Sequence, residues 1–265
     1  MGRLDGRTTI VTGSTGIAAA SAELFAAEGG RVFVISRNEV HCRELVDRVT
    51  AAGGEAAWAT ADLTEEGPAD DAVAAALDRY GRIDGLFNVA GGSGRRFGDA
   101  PIHQITLEGW ERTMALNARS HVISSRAVLR RMMVQGPDAN GQRGSILNMA
   151  SVLALHPQPE LFPTHAYAAS KGAIVTLTTV MAAYYLGHGI RVNAVAPALT
   201  TSRMSERAAA DPGTVAFAER HQPLVPGFLP AQDVARAAMF FLSAESRYVT
   251  GQIMIIDGGW SVSQG

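Results

Sequence analysis

Tyr167 and Lys171 stand four residues apart in the run YAASK, inside a segment (164–187) whose pattern predicts a helix. At that spacing their side chains share one helix face. A free phenol has a pKa of about 10 and is mostly protonated at neutral pH. An ammonium beside it favours the phenolate and draws the phenol toward the working range of a general acid/base. Such a pair can move a proton to or from an oxygen. The same spacing also arises by chance, because exposed helix faces often carry Tyr and Lys. Composition speaks against chance here. Of the 23 basic residues 22 are arginine, and Lys171 is the only lysine. A guanidinium, larger and planar, does not easily replace a compact ammonium beside a phenol.

A second chemistry-bearing stretch lies near the start. The run IVTGSTGIAAASAELFAAEGG reads as strand, glycine turn and helix. Gly13 and Gly16 let the chain turn sharply and approach a pyrophosphate, which would face the N–H groups at the helix start. Ser14, Thr15 and Ile17 complete the candidate phosphate turn. Glycines also serve strand-to-helix turns that bind nothing, so this signal is weak alone. Where many NAD-binding folds place an acid at the end of the second strand, this chain has Ser36-Arg37. The planar, permanently charged Arg suits a 2′-phosphate, which favours NADP(H) over NAD(H). The alternative is an arginine that only caps or solvates the next helix.

These residues need a scaffold, and the chain has the length for one. Its 265 residues are 47% hydrophobic and 18% charged, with net charge −2. That is too apolar for disorder. The slightly acidic balance argues against nucleic acid or an anionic membrane as partner. Cys42 alone cannot form an internal disulfide, and the seven His show no ligand spacing, so no metal is expected. No signal peptide or stretch of 18 uncharged apolar residues stands out, and the expectation is a soluble, cytoplasmic protein.

Short β-rich runs at 8–12, 31–35, 56–61, 83–89, 144–149, 190–195 and 252–256 alternate with helical patterns at 17–28, 39–52, 65–80, 107–134, 164–187 and 231–243. Several strands are near-continuous apolar runs, as expected where both faces are covered. The alternation predicts an α/β fold: a Rossmann-type doubly wound parallel sheet of about seven strands with helices on both faces. With no linker and no repeat, residues 1–265 read as a single dinucleotide-binding and catalytic domain. Two segments break the rhythm, 152–165 and 198–229. Both follow strands at ends where such sheets bind ligands, and predict a substrate pocket and lid; the alternative is a pair of long surface loops.

Around Tyr167-Ala-Ala-Ser-Lys171 the sequence resembles the short-chain dehydrogenase/reductase family, and the resemblance runs over nearly the whole chain. It includes Asp62-Leu63 after the third strand, Asn88-Val-Ala90-Gly91 after the fourth, Asn117 in the long helix, Asn148-Met-Ala-Ser151, Arg191-Val-Asn-Ala-Val-Ala-Pro197, and Val249-Thr-Gly-Gln-Ile with Asp257-Gly-Gly. The resemblance implies hydride exchange between a nicotinamide cofactor and a carbonyl or secondary alcohol. Tyr167 would be the general acid/base, Ser151 would orient the substrate oxygen, Lys171 would hold the nicotinamide ribose and tune Tyr167, and Asn117 would support a water-linked proton path. Asp62 and Leu63 would contact adenine. Asn88, Ala90, Gly91, Tyr167, Lys171, Pro197 and Thr200 would line the cofactor, with Ser202 the alternative to Thr200 for the carboxamide. The resemblance also implies a homotetramer or homodimer.

The chain departs from the family pattern in two places. Gly13 and Gly16 are one residue closer than usual, and Ala18 or Ala19 takes the third glycine's position, predicting a rearranged phosphate turn and weaker cofactor binding. Ala198 follows Pro197 where the family usually has Gly. Arg95-Arg96 could reach the mouth of the site and suit a carboxylate or phosphate, or could merely be solvated. His156 and His165 could touch a substrate hydroxyl, or be structural. Sugar, polyol, acyl-thioester and steroid-like carbonyls all stay open as substrates, as do two further functions: an epimerase, dehydratase or enoyl reductase on the same scaffold, and a non-catalytic NADP(H)-binding protein.

Overall fold

A computed structural model describes residues 2–202 and 205–263. Seven strands form one sheet: β1 (Thr8–Thr12), β2 (Arg31–Ser36), β3 (Glu55–Thr60), β4 (Gly85–Asn88), β5 (Gly144–Met149), β6 (Ile190–Pro197) and β7 (Ile253–Ile256). Their order is β3-β2-β1-β4-β5-β6-β7 and every pairing is parallel. The order reverses between β1 and β4, which opens a crevice at the carboxyl ends of the strands.

The helices are α1 (Ile17–Ala27), α2 (Glu39–Ala51), α3 (Glu66–Tyr80), α4 (Leu107–Met114), α5 (Ser120–Met132), α6 (His165–Tyr185), α7 (Glu206–Ala209), α8 (Pro212–His221) and α9 (Ala231–Leu242). Alternate strand residues serve opposite layers, which is why the strands read as unbroken apolar runs. Ile10, Phe33, Leu86, Ile146 and Val192 pack with Val73, Val128, Met132 and Met181 of α3, α5 and α6. Their neighbours Val11, Val32, Phe87, Leu147 and Val195 pack with Phe25, Leu45, Val234 and Phe241 of α1, α2 and α9.

One local expectation changes: the helix predicted over 107–134 is interrupted by a five-residue π turn, Ala115–Arg119, between α4 and α5. Segment 198–229 contains the short helices α7 and α8, and the loop over 152–165 includes a 3-10 turn at Val152–Ala154.

Candidate active site

The glycine turn forms where the sequence placed it. Gly13 (φ 97°) and Gly16 (φ 56°) both occupy the left-handed region that favours glycine. Gly13 donates its N–H to Ile35 O at 2.7 Å, and Ser14 Oγ meets Ser36 Oγ at 3.1 Å, tying the turn to β2. A Cβ on Gly13 would lie 3.3 Å from Cβ of the buried Ala18, so the missing side chain there makes room for the extra methyl. Helix α1 starts without a side-chain cap, leaving N–H groups directed at the crevice.

A cleft of about 200 Å³ runs along this edge, lined by Gly13, Ser14, Thr15, Ser36, Arg37, Asp62, Leu63, Ala90 and Gly91. Arg37 Nη1 is 3.7 Å from Asp62 Oδ2, and both groups are substantially exposed, so the pair is loose. Burial raises the Asp62 carboxyl, but the N–H and hydroxyl of Thr64 and the Arg37 charge outweigh it and hold the acid below its usual range. Asn88 is placed differently from the expectation. Its amide is turned into the protein, donating to Ser125 Oγ (2.9 Å) and Asn148 Oδ1 (3.0 Å) and accepting from Ser124 Oγ (2.6 Å). It pins β4 to β5 and α5 and is no wall of the cleft. Thr12 joins the turn to β4: its Oγ1 accepts from Val89 N and Ala90 N.

The π turn explains Asn117. Its amide donates to Thr113 O (2.9 Å) and Gly92 O (3.0 Å) and accepts from Gly92 N (3.0 Å), clasping the loop that follows β4. Gly91 must be glycine, because a Cβ there would fall 2.6 Å from Asn117 Oδ1.

Helix α6 carries the proton-transfer pair, and a distant acid fixes its start. Thr164 offers no side-chain cap. Instead buried Asp99 accepts from Ala166 N (2.9 Å) and Tyr167 N (3.0 Å), satisfying two otherwise orphaned donors at the residue that does the chemistry. Tyr167 and Ser151 line the same cavity, and the Ser151 hydroxyl is near enough to favour the phenolate. Ser151 Oγ also accepts from Leu153 N at 3.3 Å, so it is a turn cap as well. Lys171 is 2% exposed, its Nζ donating to Met149 O at 2.7 Å and lying 5.7 Å from the Tyr167 ring centre.

The expected electrostatics need correcting. Burial pushes the Tyr167 phenol above its ordinary value, the Ser151 hydroxyl only partly opposing it. Burial also lowers Lys171 to about 7. A lysine so poorly solvated is not the strong fixed cation that the spacing suggested. His121, on α5, is driven down to about 3 by burial and then by the Lys171 charge, so it is neutral.

A second cavity of about 190 Å³ opens beside Tyr167 and Ser151 and is also lined by Ile17, Leu153, Phe162, Pro197, Leu199, Thr200, Ser202 and Trp260. The glycine turn thus borders both cavities. Thr200 Oγ1 donates to Ala198 O, while Ser202 meets Ser205 and lies under Gly16, where a Cβ would come within 2.9 Å of Ser202 Cβ. The apolar wall is one cluster joining the two loops and the C-terminal segment: Trp260 packs edge-on to Phe217 at 4.9 Å between ring centres and tilts against Phe162 at 6.3 Å.

Arg95 lines this cavity but Arg96 does not; its guanidinium stacks over Phe97 at 4.5 Å. His165 Nδ1 accepts from Ile102 N, and His156 is absent from the cavity wall. Arg207, Trp260 and Asp99 were not legible as site residues in the sequence. Among the described residues no group of three or more His, Cys, Asp or Glu could hold a metal ion.

A doubly wound parallel sheet, a glycine turn at its switch point and a Ser–Tyr–Lys group beside a pocket define a nicotinamide-dependent oxidoreductase class. A family model described as enoyl-(acyl carrier protein) reductase matches residues 11–261. The A-factor type gamma-butyrolactone 1′-reductase (1S-forming) of Streptomyces virginiae is 36% identical over 264 residues, covering 98% of each chain. The 3beta-hydroxysteroid dehydrogenase 1 of Eggerthella lenta is 34% identical over 265 residues, covering 99% of this chain and 96% of that one. A solved short-chain type dehydrogenase/reductase from Mycobacterium ulcerans superposes with a TM-score of 0.89 at 28% identity, over 99% of this chain and 92% of that one. The chain belongs to the short-chain dehydrogenase/reductase family, whose members are oxidoreductases acting on alcohol and carbonyl groups with a nicotinamide cofactor.

Proposed function

We propose that the chain is a reversible carbonyl reductase and secondary-alcohol dehydrogenase that prefers NADP(H), with Tyr167 as general acid/base, and that residues 1–265 work as one catalytic domain with 152–165 and 198–229 as its substrate loops. The observation that carries the proposal is the meeting of Ser151 and Tyr167 in one pocket wall, with buried Lys171 one helical turn behind.

The uncapped α1 start and the two left-handed glycines fit a pyrophosphate, held by Gly13, Ser14, Thr15, Gly16 and Ile17. Ser36, Arg37, Asp62 and Leu63 would hold the adenosine half. Ala90, Gly91, Tyr167, Lys171, Pro197 and Thr200 would line the nicotinamide half. The cofactor supplies or accepts the hydride when bound. In reduction Tyr167 donates its proton to the substrate carbonyl oxygen, and the Ser151 hydroxyl donates a hydrogen bond that orients that oxygen. In oxidation Tyr167 takes the proton from the alcohol. Lys171 holds the ribose and tunes Tyr167. The amide of Asn117 is consumed in clasping Gly92, so its part in a water-linked proton path runs through the main chain that it shapes.

The test is a panel of ketones and secondary alcohols followed by nicotinamide absorbance with NADPH and NADH. Stoichiometric oxidation of NADPH, faster than of NADH, is the expected result. Arg37→Ala should cut the preference for NADPH by roughly 10-fold or more, the worth of a charge-assisted hydrogen bond. A native preference for NADH would sink the assignment of Arg37.

We place the protein in the cytoplasm as a homotetramer or homodimer. Val122, Val180, Tyr184 and Leu186 on and after α5 and α6 leave apolar area exposed, as an unpaired dimer face would. Among the described residues no helix is long and apolar enough to cross a membrane. Sedimentation at micromolar concentration should give a species larger than the monomer; a clean monomer rejects the assembly.

A further inference from the structure

Most arginines whose surroundings are described face a carboxylate: eleven pair with Asp or Glu within 4.0 Å. Two that line the substrate cavity do not. Arg95 enters from the turn after β4, and the exposed Arg207 borders the cavity from α7, within the chain's second long loop. Among the described residues neither has an ion pair. Arg95 Nη2 donates to Leu161 O at 2.6 Å and its guanidinium faces the Phe162 ring at 5.9 Å, so the side chain is held in the wall while its other N–H groups stay uncommitted. The only acid acting on it is Asp99, whose two oxygens are taken by the start of α6. The charge of Arg207 reaches Arg95 and, after burial, is the main influence on it.

Two like charges bordering one small, largely apolar cavity, with no acid nearby but the committed Asp99, repel each other. An anion between them would remove that repulsion, and planar guanidinium forks are suited to carboxylate and phosphate. Leu153, Leu199, Phe162 and Trp260 form the apolar stretch of the same cavity, and Ser151 and Tyr167 contribute its proton-transfer wall. On the carbonyl chemistry proposed above, we infer that Arg95 and Arg207 form an anion subsite, and that the substrate is an oxo- or hydroxy-compound with an apolar body ending in a carboxylate or phosphate group. Arg96, which the sequence ranked equally with Arg95, has no part in it.

The experiment uses matched sets on one carbon skeleton: an oxo-carboxylic acid, its methyl ester, and the corresponding phosphate monoester, assayed for kcat/KM with NADPH. Direct binding of the redox-inert saturated carboxylate and phosphate monoester is measured in parallel by calorimetry. The intact protein should favour one anionic form over the ester by about 10-fold or more, and the stronger of the two anions identifies the group. Arg95→Gln and Arg207→Gln should each erase most of that preference, the loss falling on the anion far more than on the ester. Arg96→Gln should keep the preference. Equal use of acid, phosphate and ester, or a loss in the two variants that is the same for charged and neutral forms, overturns the subsite. Calorimetric binding of the anion that needs both arginines, in a protein that turns over none of the carbonyl compounds, upholds the subsite and overturns the oxidoreductase reading instead.

Discussion

Replacing Tyr167 by Phe is expected to lower turnover about 10²- to 10⁴-fold, the usual worth of a positioned general acid/base, while cofactor affinity stays within a few-fold. The substitution removes one hydroxyl and keeps the ring. The anchors of α6 are untouched, because Asp99 holds the main-chain N–H groups of Ala166 and Tyr167 rather than their side chains. A binding titration with NADPH beside steady-state kinetics separates the two effects. Normal activity in the variant would end the assignment of Tyr167. The raised phenol sets the pH dependence as well. Reduction needs the protonated phenol, so its rate should hold through neutral pH and fall only under alkaline conditions. Oxidation needs the deprotonated form and should quicken as pH rises. Opposite pH slopes for the two directions are the signature, and Tyr167→Phe should lose both.

The second large effect is on stability. Lys171→Met is expected to abolish most activity and yet make the cofactor-free protein more stable at pH 7. Burial lowers Lys171 from its ordinary value of 10.5 to about 7. The unfolded chain therefore holds the lysine proton between pH 7 and 10.5 where the folded chain does not, and stability climbs with pH across that window. At and below pH 7 the folded state carries the full cost of burying the charge, about 5 kcal/mol at about 1.4 kcal/mol per pKa unit. Methionine fills a similar volume without the charge. It leaves Met149 O without its donor, which costs on the order of 1–3 kcal/mol. A net gain of about 2–4 kcal/mol at pH 7 follows from these two magnitudes, and it should shrink as pH rises and reverse before pH 10.5. Denaturant unfolding of both proteins at several pH values measures the difference directly. A variant less stable than the parent at pH 7 would show that the lysine is not a buried burden.

The sheet and the Tyr167–Lys171 pair were legible in the sequence for related reasons. Strands covered on both faces advertise themselves as apolar runs, and all seven lie where those runs are, with ends shifted by one or two residues as at β3 and β4. A pair four apart on a helix needs no knowledge of the rest of the chain to be placed together. Asn88 misled because its motif says only that the residue ends a strand. Which way its amide turns is decided by Ser124, Ser125 and Asn148, partners 36 to 60 positions away. Asp99, Trp260 and Arg207 were invisible for the same reason: each reaches the site across the tertiary fold, and no local spacing records that. The charge state of the pair was also beyond the spacing. A neighbour four residues on says that an ammonium is near; only the packed surroundings say how little water it keeps.

The π turn at Ala115–Arg119 has a consequence for how such a site can come and go. A π turn amounts to one added residue absorbed into a helix, with both flanks left on their original faces. Here Thr113 before it and Ser124 after it both remain buried, Thr113 bonded to Gly109 O of its own helix and Ser124 to Asn88 of the sheet. The packing of the helix and the clasp on Gly92 are therefore separable. A single-codon deletion inside the turn would return an ordinary continuous helix to the same groove and release the loop over residues 91–94. The hold on this loop therefore depends on the one residue by which the turn exceeds an ordinary helix, while the sheet beneath depends on the flanks.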